Sequence, residues 1–543
     1  MLQDNKPLGE PIKGKPNDNS EPDIEEGDIV DVDISDSDNQ SEKHREREQP
    51  YHVFSKREKW VAVWIVSLAG LFSPLSSNIY FPALGDISRH INSPIAMVSL
   101  TVTIYMVVQG LAPSFWGPLS DTRGRRITFI GTFAVYLIAN IGLAFSKNFA
   151  MLMVFRAIQA AGSAATISVG AGVIGDITTA KERGGFMGSF GGIRMLGQSI
   201  GPVVGGVITE FFGFHAIFWF LFILGSLSLV TIVVLLPETL RRIAGNGSVP
   251  LNGVYRPLVS GHLRKHWRRP DESSGRKPDI TAPPSNLTLG TVFAPLRFLF
   301  EKDVFVTLFF GAVVYTIWSM VTSSTTALFQ ERYHLSNLQT GLIFLPNGAG
   351  CVLGSQLTGK VLDRDYKVVE ARYRAGHGLS ADVPLNRKKL ADFPVSRARL
   401  RSSWYLIILF VFSVAGYGFA ISSPLLAHKP GMGLPLFLQF VIAFTATAIF
   451  TQNSALMVDL YPGASASATA VNNLIRCSLG AAGVAAVQFI IDDIGAGVTF
   501  LIFAVITAVL TPLMGLQWIY GERWRAARME RLERKEREKT QLG

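Results

Sequence analysis

The sequence predicts an all-α membrane protein in which twelve transmembrane helices form two pseudo-symmetric six-helix bundles. Three observations support this fold class. The 543 residues are 48% hydrophobic and have a mean hydropathy of +0.29, which is too apolar for a soluble protein of this length. Apolar runs of about 17 to 25 residues recur along the chain, each long enough to cross a bilayer core of ~30 Å. Matching polar residues also recur in both halves of the chain.

The first segment, 1–59, is predicted to be a disordered acidic tail in the cytosol. Residues 1–50 contain 15 Asp and Glu against 6 Lys and Arg, and such a charge excess with few aromatic residues is typical of disorder. A secretory signal would need a basic start followed by an apolar run, which this segment lacks. A regulatory or sorting role is the alternative to a simple solvated tail.

Twelve apolar runs follow the tail and divide six plus six. The first six make up the predicted N-terminal bundle, 60–240, and the last six the predicted C-terminal bundle, 304–520. The approximate limits of the runs are 61–83, 95–117, 127–146, 150–175, 185–210, 215–236, 304–328, 338–361, 404–422, 433–455, 463–490 and 497–518.

The connecting loops differ in charge on the two sides of the predicted bundle. Lys and Arg are retained on the cytoplasmic side of a membrane, and ten of them lie in 241–300 and ten more in 363–403. The sequence therefore predicts cytosolic termini, a basic linker over 241–303, a cytosolic loop over 363–403 and a charged cytosolic tail over 521–543. Because topology explains these charges, nucleic-acid binding by the linker is only a weak alternative and no nucleic-acid partner is expected.

Polar residues at run ends and in run centres recur between the two halves. The matched pairs are Gly117 with Gly359, Asp121 with Asp363, Asp176 with Asp459, and Arg194 with Arg476. Transporters built from two such repeats bind their substrates between the halves, near the middle of the membrane. A substrate site is expected there.

The sequence offers no catalytic or metal-binding constellation. Cys351 and Cys477 lie in apolar runs, so neither a disulfide framework nor a Cys/His metal cluster is expected. The histidines stand at or beyond run ends without a metalloprotease or nucleophile motif, and no glycine-rich loop resembles a phosphate cradle. We expect no enzyme activity, no metal and no cofactor, and an ATP-driven pump is disfavoured.

Three motifs carry a family resemblance. The loop between helices 2 and 3 of the major facilitator superfamily is resembled by GPLSDTRGRR, 117–126. The helix 4 motif of that superfamily is resembled by RAIQAAGSAA, 156–165. The helix 5 motif of its antiporters and exporters is resembled by GQSIGPVVGG, 197–206. The resemblance implies the major facilitator fold. Within that superfamily the chain resembles the fungal twelve-span drug:proton antiporters, and most closely the fungal citrate exporters, in stretches such as 72–84 and 459–473.

Six residues of these motifs are predicted to act in gating or in the packing that supports it. They are Gly117, Asp121, Arg125, Gly201, Pro202 and Gly205. Glycines let helices approach closely, and Pro202 adds a local kink. Asp121 can pair with a cation or a helix end across the bundle, and Arg125 anchors the cytoplasmic face.

The centres of the runs contain Arg156, Arg194 and Arg476 but no Asp or Glu. An ionisable group inside a membrane costs ~3 kcal/mol or more and therefore points to function. Many relatives that export cationic drugs have Asp in helix 1 where this chain has Asn78, so the cavity is expected to prefer anions. The resemblance implies that Arg156 takes part in proton coupling.

Amides share a helix face with two of these arginines. Gln198 lies one turn after Arg194, and Asn472 and Asn473 lie one turn before Arg476. Because a guanidinium offers paired N–H donors that match a carboxylate, these residues are predicted to bind a small di- or tricarboxylate. The alternative is that the arginines donate to backbone carbonyls across the bundle.

Hydroxyl groups lie in the first run of each half. These hydroxyl groups can donate to substrate carboxylates, and Ser77, beside Asn78, and Ser323 are assigned to the substrate site. The full set is Ser76, Ser77, Thr322, Ser323, Ser324, Thr325 and Thr326. The alternative, weighed about evenly, is that they bond back to carbonyls of their own helix.

Two transport functions and one receptor function remain. The first is export of an organic acid, most specifically citrate, across the plasma membrane. This transport is expected to be proton-coupled and to proceed by alternating access, and the protein is expected to be a monomer. The second is a multidrug or secondary-metabolite:proton antiporter, which the general family background favours, and a non-transporting receptor is the weakest. Symport of a protonated acid and a vacuolar location remain alternatives.

Overall fold

The computed structural model describes residues 53–178, 183–258 apart from 248, 250 and 252, 299–378, 393–426, 429–460 and 465–542. Twelve long helices account for most of these residues, and each overlaps one predicted run. They are α1 (Lys56–Asn78), α2 (Ile95–Arg123), α3 (Arg125–Ala144), α4 (Phe149–Ile177), α5 (Arg183–Phe212), α6 (His215–Leu235), α7 (Lys302–Tyr333), α8 (Leu345–Gly376), α9 (Ser403–Ser422), α10 (Gly433–Leu460), α11 (Ser465–Ile494) and α12 (Ala496–Leu542).

Length and composition make ten of the described helices suitable for crossing a membrane. The other two long helices, α5 and α8, have 30 and 32 residues, and 20 residues of α-helix already span ~30 Å. The predicted all-α, twelve-helix fold class is confirmed.

The two halves repeat one packing plan. In the N-terminal half α1 packs on α5, α2 on α4, and α3 on both α4 and α6. In the C-terminal half α7 packs on α11, α8 on α10, and α9 on both α10 and α12. The halves meet where α2 lies against α11 and α5 against α8, which again are equivalent pairs. The internal repeat in the sequence therefore corresponds to a repeat in three dimensions.

Several helices extend past the predicted runs. α8 continues to Gly376, into the segment predicted as the loop 363–403, and α12 continues to Leu542, through the predicted tail 521–543. The extension of α12 is anchored because the buried Arg528 donates to Asp303 at 2.6 Å. α1 begins at Lys56, inside the predicted tail, and the rest of that tail lies outside the described residues.

The described start of the predicted linker, 241–303, packs on the N-terminal bundle. Arg126, which is 2% exposed, donates to the carbonyls of Ile232 at 2.9 Å and Val233 at 2.6 Å near the end of α6. It also donates to the carbonyl of Val254 in the linker at 2.7 Å. One guanidinium thus binds carbonyls in the last turn of α6 and holds the linker against them.

Glycines bring α5 against α1. A Cβ atom on Gly197 would lie 2.7 Å from the carbonyl oxygen of Leu71, and one on Gly205 would lie 2.0 Å from that of Ile79. On Gly201 the nearest atom would be the Ile79 nitrogen at 3.1 Å. The two backbones are therefore in direct contact, which fixes the cavity-facing side of α5 beside the end of α1.

Ion pairs cluster at the face of the bundle at which α1 begins, which we call the basic face. Arg125 pairs with Asp121 one turn before it, and its Nε donates to Asp176 at 3.0 Å. Asp121 therefore pairs inside its own half in this state, not across the bundle. In the C-terminal half Arg399 donates to Asp459 at 2.7 Å, which repeats the contact between Arg125 and Asp176.

The halves are joined at the opposite face by a short helix, Asn337–Leu342. Glu210 at the end of α5 accepts the backbone N–H of Asn337 at 2.9 Å, and the Asn337 amide donates to Asp86 at 2.8 Å. A Cβ atom on Gly206 would lie 2.5 Å from the Asn337 carbonyl oxygen, so backbone contact closes this end.

Three glycines toward the basic face have open space instead. A Cβ atom on Gly117, Gly188 or Gly359 would meet no atom within 4 Å. Gly117, predicted to let helices approach, thus makes no close helix contact here. The two halves are in contact at the opposite face, and these glycines have open space beside them toward the basic face. This combination is expected when the cavity between the halves opens toward the basic face.

Candidate functional site

A cavity lies between the two halves and contains about 880 Å³ of empty space, including the part open to solvent. Helices α1, α2, α4 and α5 line it from one half, and α7, α10 and α11 line it from the other. Phe81, which stacks on Phe344 with ring centroids 5.9 Å apart, covers it toward the opposite face. Among the described residues its charged lining consists of Arg194 and Arg476, without any carboxylate.

Arg194 lines the cavity from α5 together with Gln198, one turn further along the helix. The Arg194 Nε is buried and has no hydrogen-bond partner. Arg476 lines the same cavity from the other half, so two positive charges share one cavity. Two like charges in a partly buried cavity are costly unless an anion or water neutralises or solvates them.

Arg476 lines the cavity from α11 and has a preset orientation. Its Nη2 donates to the side-chain oxygen of Asn473 at 2.6 Å. Its Cζ lies 4.6 Å from the ring centroid of Tyr315 and 4.7 Å from that of Phe450. Asn473 in turn donates to the carbonyl of Gln109 on α2 at 3.1 Å, which connects this arginine to the other half.

The predicted amide and hydroxyl residues divide into two groups. Ser77 and Asn78 line the cavity, and the Asn78 amide also donates to the carbonyl of Pro74 at 2.7 Å. Asn472 is buried outside the lining, as is Ser323, whose hydroxyl donates back to its own helix.

Arg156 lies behind the cavity wall, within the N-terminal half, and is 0% exposed. Its Nη1 donates to the carbonyl of Ser76 at 3.1 Å and to the side chain of Gln159 at 2.8 Å. Its Cζ lies 4.2 Å from the ring of Tyr80 and 4.4 Å from that of Tyr105. Its Nε and Nη2 have no hydrogen-bond partner. Aromatic and amide groups thus enclose this cation. It contacts the backbone of Ser76, the residue next to Ser77 in the cavity lining.

The sequence matches the profile of the Major Facilitator Superfamily over residues 66–381. The chain belongs to this superfamily. It is 54% identical over 494 residues to citrate exporter 1 of Aspergillus niger, which covers 91% of this chain and 92% of that protein. It is 31% identical over 466 residues to the MFS antiporter QDR2 of Candida albicans, which covers 85% of this chain and 89% of that protein.

A solved structure supports the superfamily fold. The human organic anion transporter MFSD10 superposes with a TM-score of 0.54 at 17% identity, covering 84% of this chain and 99% of that one. At this identity the match concerns the fold alone. The predicted superfamily is confirmed, and this protein is a multi-pass membrane transporter of small molecules, not an enzyme.

Several lining residues of this superfamily transporter were missed by the sequence reasoning, including four large polar or aromatic ones. These four are Gln109, Tyr315, Trp318 and Phe450. A signal for two of them was present, since Tyr315 and Trp318 share a helix face with Ser319 and Thr322 at spacings of three and four. Of the hydroxyl residues considered from the sequence in α7, Thr322 lines the cavity and Ser323 does not, and Ser319 lines it as well.

Proposed function

We propose that this transporter exports an organic acid, specifically citrate, across the plasma membrane by alternating access. The observation that carries the proposal is the pair Arg194 and Arg476, which face one cavity without a carboxylate among its described lining residues. Citrate has three carboxyl groups, so it can neutralise both guanidinium groups at once. The name of the 54% identical relative, a citrate exporter, agrees with this substrate.

In the proposed complex each guanidinium donates two parallel N–H bonds to one carboxylate. This bidentate geometry is stronger and more specific than contact with a single ammonium. Gln198, Asn78 and Ser77 line the same cavity and supply further donors to the remaining oxygens. Asn473 holds Arg476 in place, while Asn472 and Ser323 lie outside the lining and are not required for these contacts.

Loading from the cytosol is supported by the charge and shape of the bundle. The basic face carries the Lys and Arg that are retained in the cytosol, which would put both termini there. The cavity would then open to the cytosol, with Glu210 and Asn337 closing the other side. Release would require these contacts to break and the basic face to close, while Gly201, Pro202 and Gly205 keep α5 in contact with its neighbours.

We propose that proton coupling involves Arg156 or the substrate itself. Arg156 is adjacent through Ser76 to the cavity wall, and two of its nitrogens lack partners. Because the described lining has no carboxylate to carry a proton, a protonated acid group of the substrate is the other carrier. We also propose that the protein acts as a monomer without a nucleic-acid partner, and a vacuolar location is the alternative to the plasma membrane.

A second candidate function is antiport of a drug or secondary metabolite. The aromatic lining residues Tyr315, Trp318 and Phe450 favour it because flat apolar compounds pack on such rings. The relative QDR2 is an MFS antiporter. The two arginines weigh against a cationic substrate.

Citrate efflux from cells with and without the protein tests the proposal. Cells expressing it should accumulate more extracellular citrate, Arg194→Ala should abolish the gain, and Arg194→Lys should retain little because an ammonium lacks the bidentate geometry. Arg534→Ala, at an exposed position near the end of α12, is the matched control and should transport normally at equal membrane abundance. Full efflux by Arg194→Ala would remove this arginine from the site, and resistance to cationic drugs without citrate efflux would favour the second candidate.

A further inference from the structure

Two aromatic rings from different helices converge on the guanidinium of Arg476. Tyr315 on α7 lies 4.6 Å from its Cζ, and Phe450 on α10 lies 4.7 Å from it. Both distances fall within the ~6 Å range in which a ring face attracts a cation. Since both rings also line the cavity, the contact is part of the cavity wall and not of the lipid-facing surface.

Part of the guanidinium edge has no hydrogen-bond partner. A guanidinium is planar and donates its hydrogen bonds in its own plane, whereas aromatic rings attract it through its faces. Nη2 is already bound by Asn473 at 2.6 Å, while Nε is buried without a partner. The two rings therefore restrict the position of Cζ, while Nε has no hydrogen-bond partner among the described residues.

The ring of Tyr315 is itself held from two sides. The indole of Trp318 meets it edge-on, with centroids 5.5 Å apart and planes at 69°, and the Trp318 Nε1 donates to Asn347 on α8 at 2.9 Å. On the other side, a Cβ atom on Gly480 of α11 would lie 2.9 Å from a ring carbon of Tyr315. Glycine at this position leaves room for the ring beside the helix that carries Arg476.

We propose that Tyr315 is a positioning residue for the substrate, resting on the citrate-export function proposed above. Its ring, together with Phe450, holds the Arg476 guanidinium so that the free part of its edge faces the carboxylate. The hydroxyl of Tyr315 is not needed for this role. An arginine on a long flexible side chain, in a cavity that it shares with a second arginine, would otherwise adopt several orientations.

Three single variants test the role of the ring in citrate transport by membrane vesicles. Tyr315→Leu should raise KM for citrate about tenfold, within the range measured for desolvated cation–π contacts, with the maximal rate nearly unchanged. Tyr315→Phe keeps the ring and should behave like the wild type. Phe450→Leu should raise KM to a similar extent. The matched control is Tyr405→Leu, because Tyr405 is 78% exposed on α9 and should have no effect on KM.

Each contrary result has a distinct meaning. An unchanged KM in Tyr315→Leu, or an equal loss in Tyr315→Phe, overturns the positioning role of the ring. A lower maximal rate with normal KM and normal protein abundance also overturns it, because that pattern indicates a general effect on the transport cycle. A wild-type protein that moves no citrate refutes the proposed function and this inference together, whereas a wild type that transports citrate beside an unaffected Tyr315→Leu variant refutes the inference alone.

Discussion

Alanine at Gly205 should disrupt the contact between α1 and α5 more than alanine at any of the other glycines of the same stripe. Its Cβ would lie 2.0 Å from the Ile79 carbonyl oxygen, whereas real Cβ atoms essentially never come within 3.0 Å of another heavy atom. The helices would therefore have to part by roughly 1 Å, because neither partner is a side chain that can rotate away. Overpacking of this kind costs ~1–3 kcal/mol, and a backbone-to-backbone clash belongs at the upper end of that range.

The neighbouring glycines give a graded series within one helix. Gly197→Ala would place a Cβ atom 2.7 Å from a carbonyl oxygen, and Gly201→Ala would place one 3.1 Å from a backbone nitrogen. Gly188→Ala is the matched control because its Cβ would meet nothing within 4 Å. Since alanine is favoured over glycine inside a helix by about 1 kcal/mol, this control should be neutral or slightly stabilising.

Thermal unfolding of the purified variants in detergent measures the series, and citrate transport measures its functional effect. The expected order of stability is Gly188→Ala highest, then Gly201→Ala, Gly197→Ala and Gly205→Ala. Transport should fall in the same order, because Arg194 on α5 would shift away from the lining residues of α1. Equal midpoints for Gly205→Ala and Gly188→Ala would refute the inference that backbone contact joins the two helices.

Two further predictions concern charge in the cavity and at the basic face. Asn78→Asp should sharply reduce citrate efflux, since a carboxylate in the lining repels the proposed anion by several kcal/mol at short range. The control is Asn148→Asp at the exposed N-cap of α4, which should have no effect because Asn and Asp cap a helix equally well. Unchanged efflux in Asn78→Asp with altered growth on cationic drugs would contradict an anionic substrate. Asp176→Asn should lower the maximal transport rate more than Asp121→Asn, because the Asp176 side chain is 16% exposed and that of Asp121 is 61% exposed, where an ion pair contributes only ~0–1 kcal/mol. Both should leave KM nearly unchanged in vesicle transport, and a raised KM with a normal rate would place these residues in binding and not in gating.

The number of helices and the two-fold repeat could be predicted from the sequence because both depend on local composition. An apolar run long enough to cross a bilayer identifies a helix by itself, and every predicted run corresponds to a helix in the structure. Helix ends were harder to predict. Hydropathy indicates where the bilayer ends but not where helical hydrogen bonding ends, so α8 and α12 continue as polar helices beyond the predicted boundaries.

The residues that face the cavity could be predicted only in part. A cation inside an apolar run is conspicuous, so Arg194 and Arg476 were found from the sequence, and both line the cavity. Lipid and a packed bundle interior are both apolar, so composition alone does not tell which face of a membrane helix points inward. The packing of α7 therefore determines that Ser319 and Thr322 line the cavity and that Ser323 does not.

The sequence by itself determined that the middle of the membrane contains arginines and no carboxylate. This follows because the centres of the twelve apolar runs contain Arg but neither Asp nor Glu. What only the tertiary structure decided is their surroundings. The ring of Tyr315 reaches Arg476 from another helix, 161 positions earlier in the chain. Likewise, Asp121 pairs with Arg125 inside its own half, and Arg125 also reaches Asp176 on α4. Such contacts depend on how helices distant in sequence are placed in space, and periodicity along a single helix carries no information about that placement.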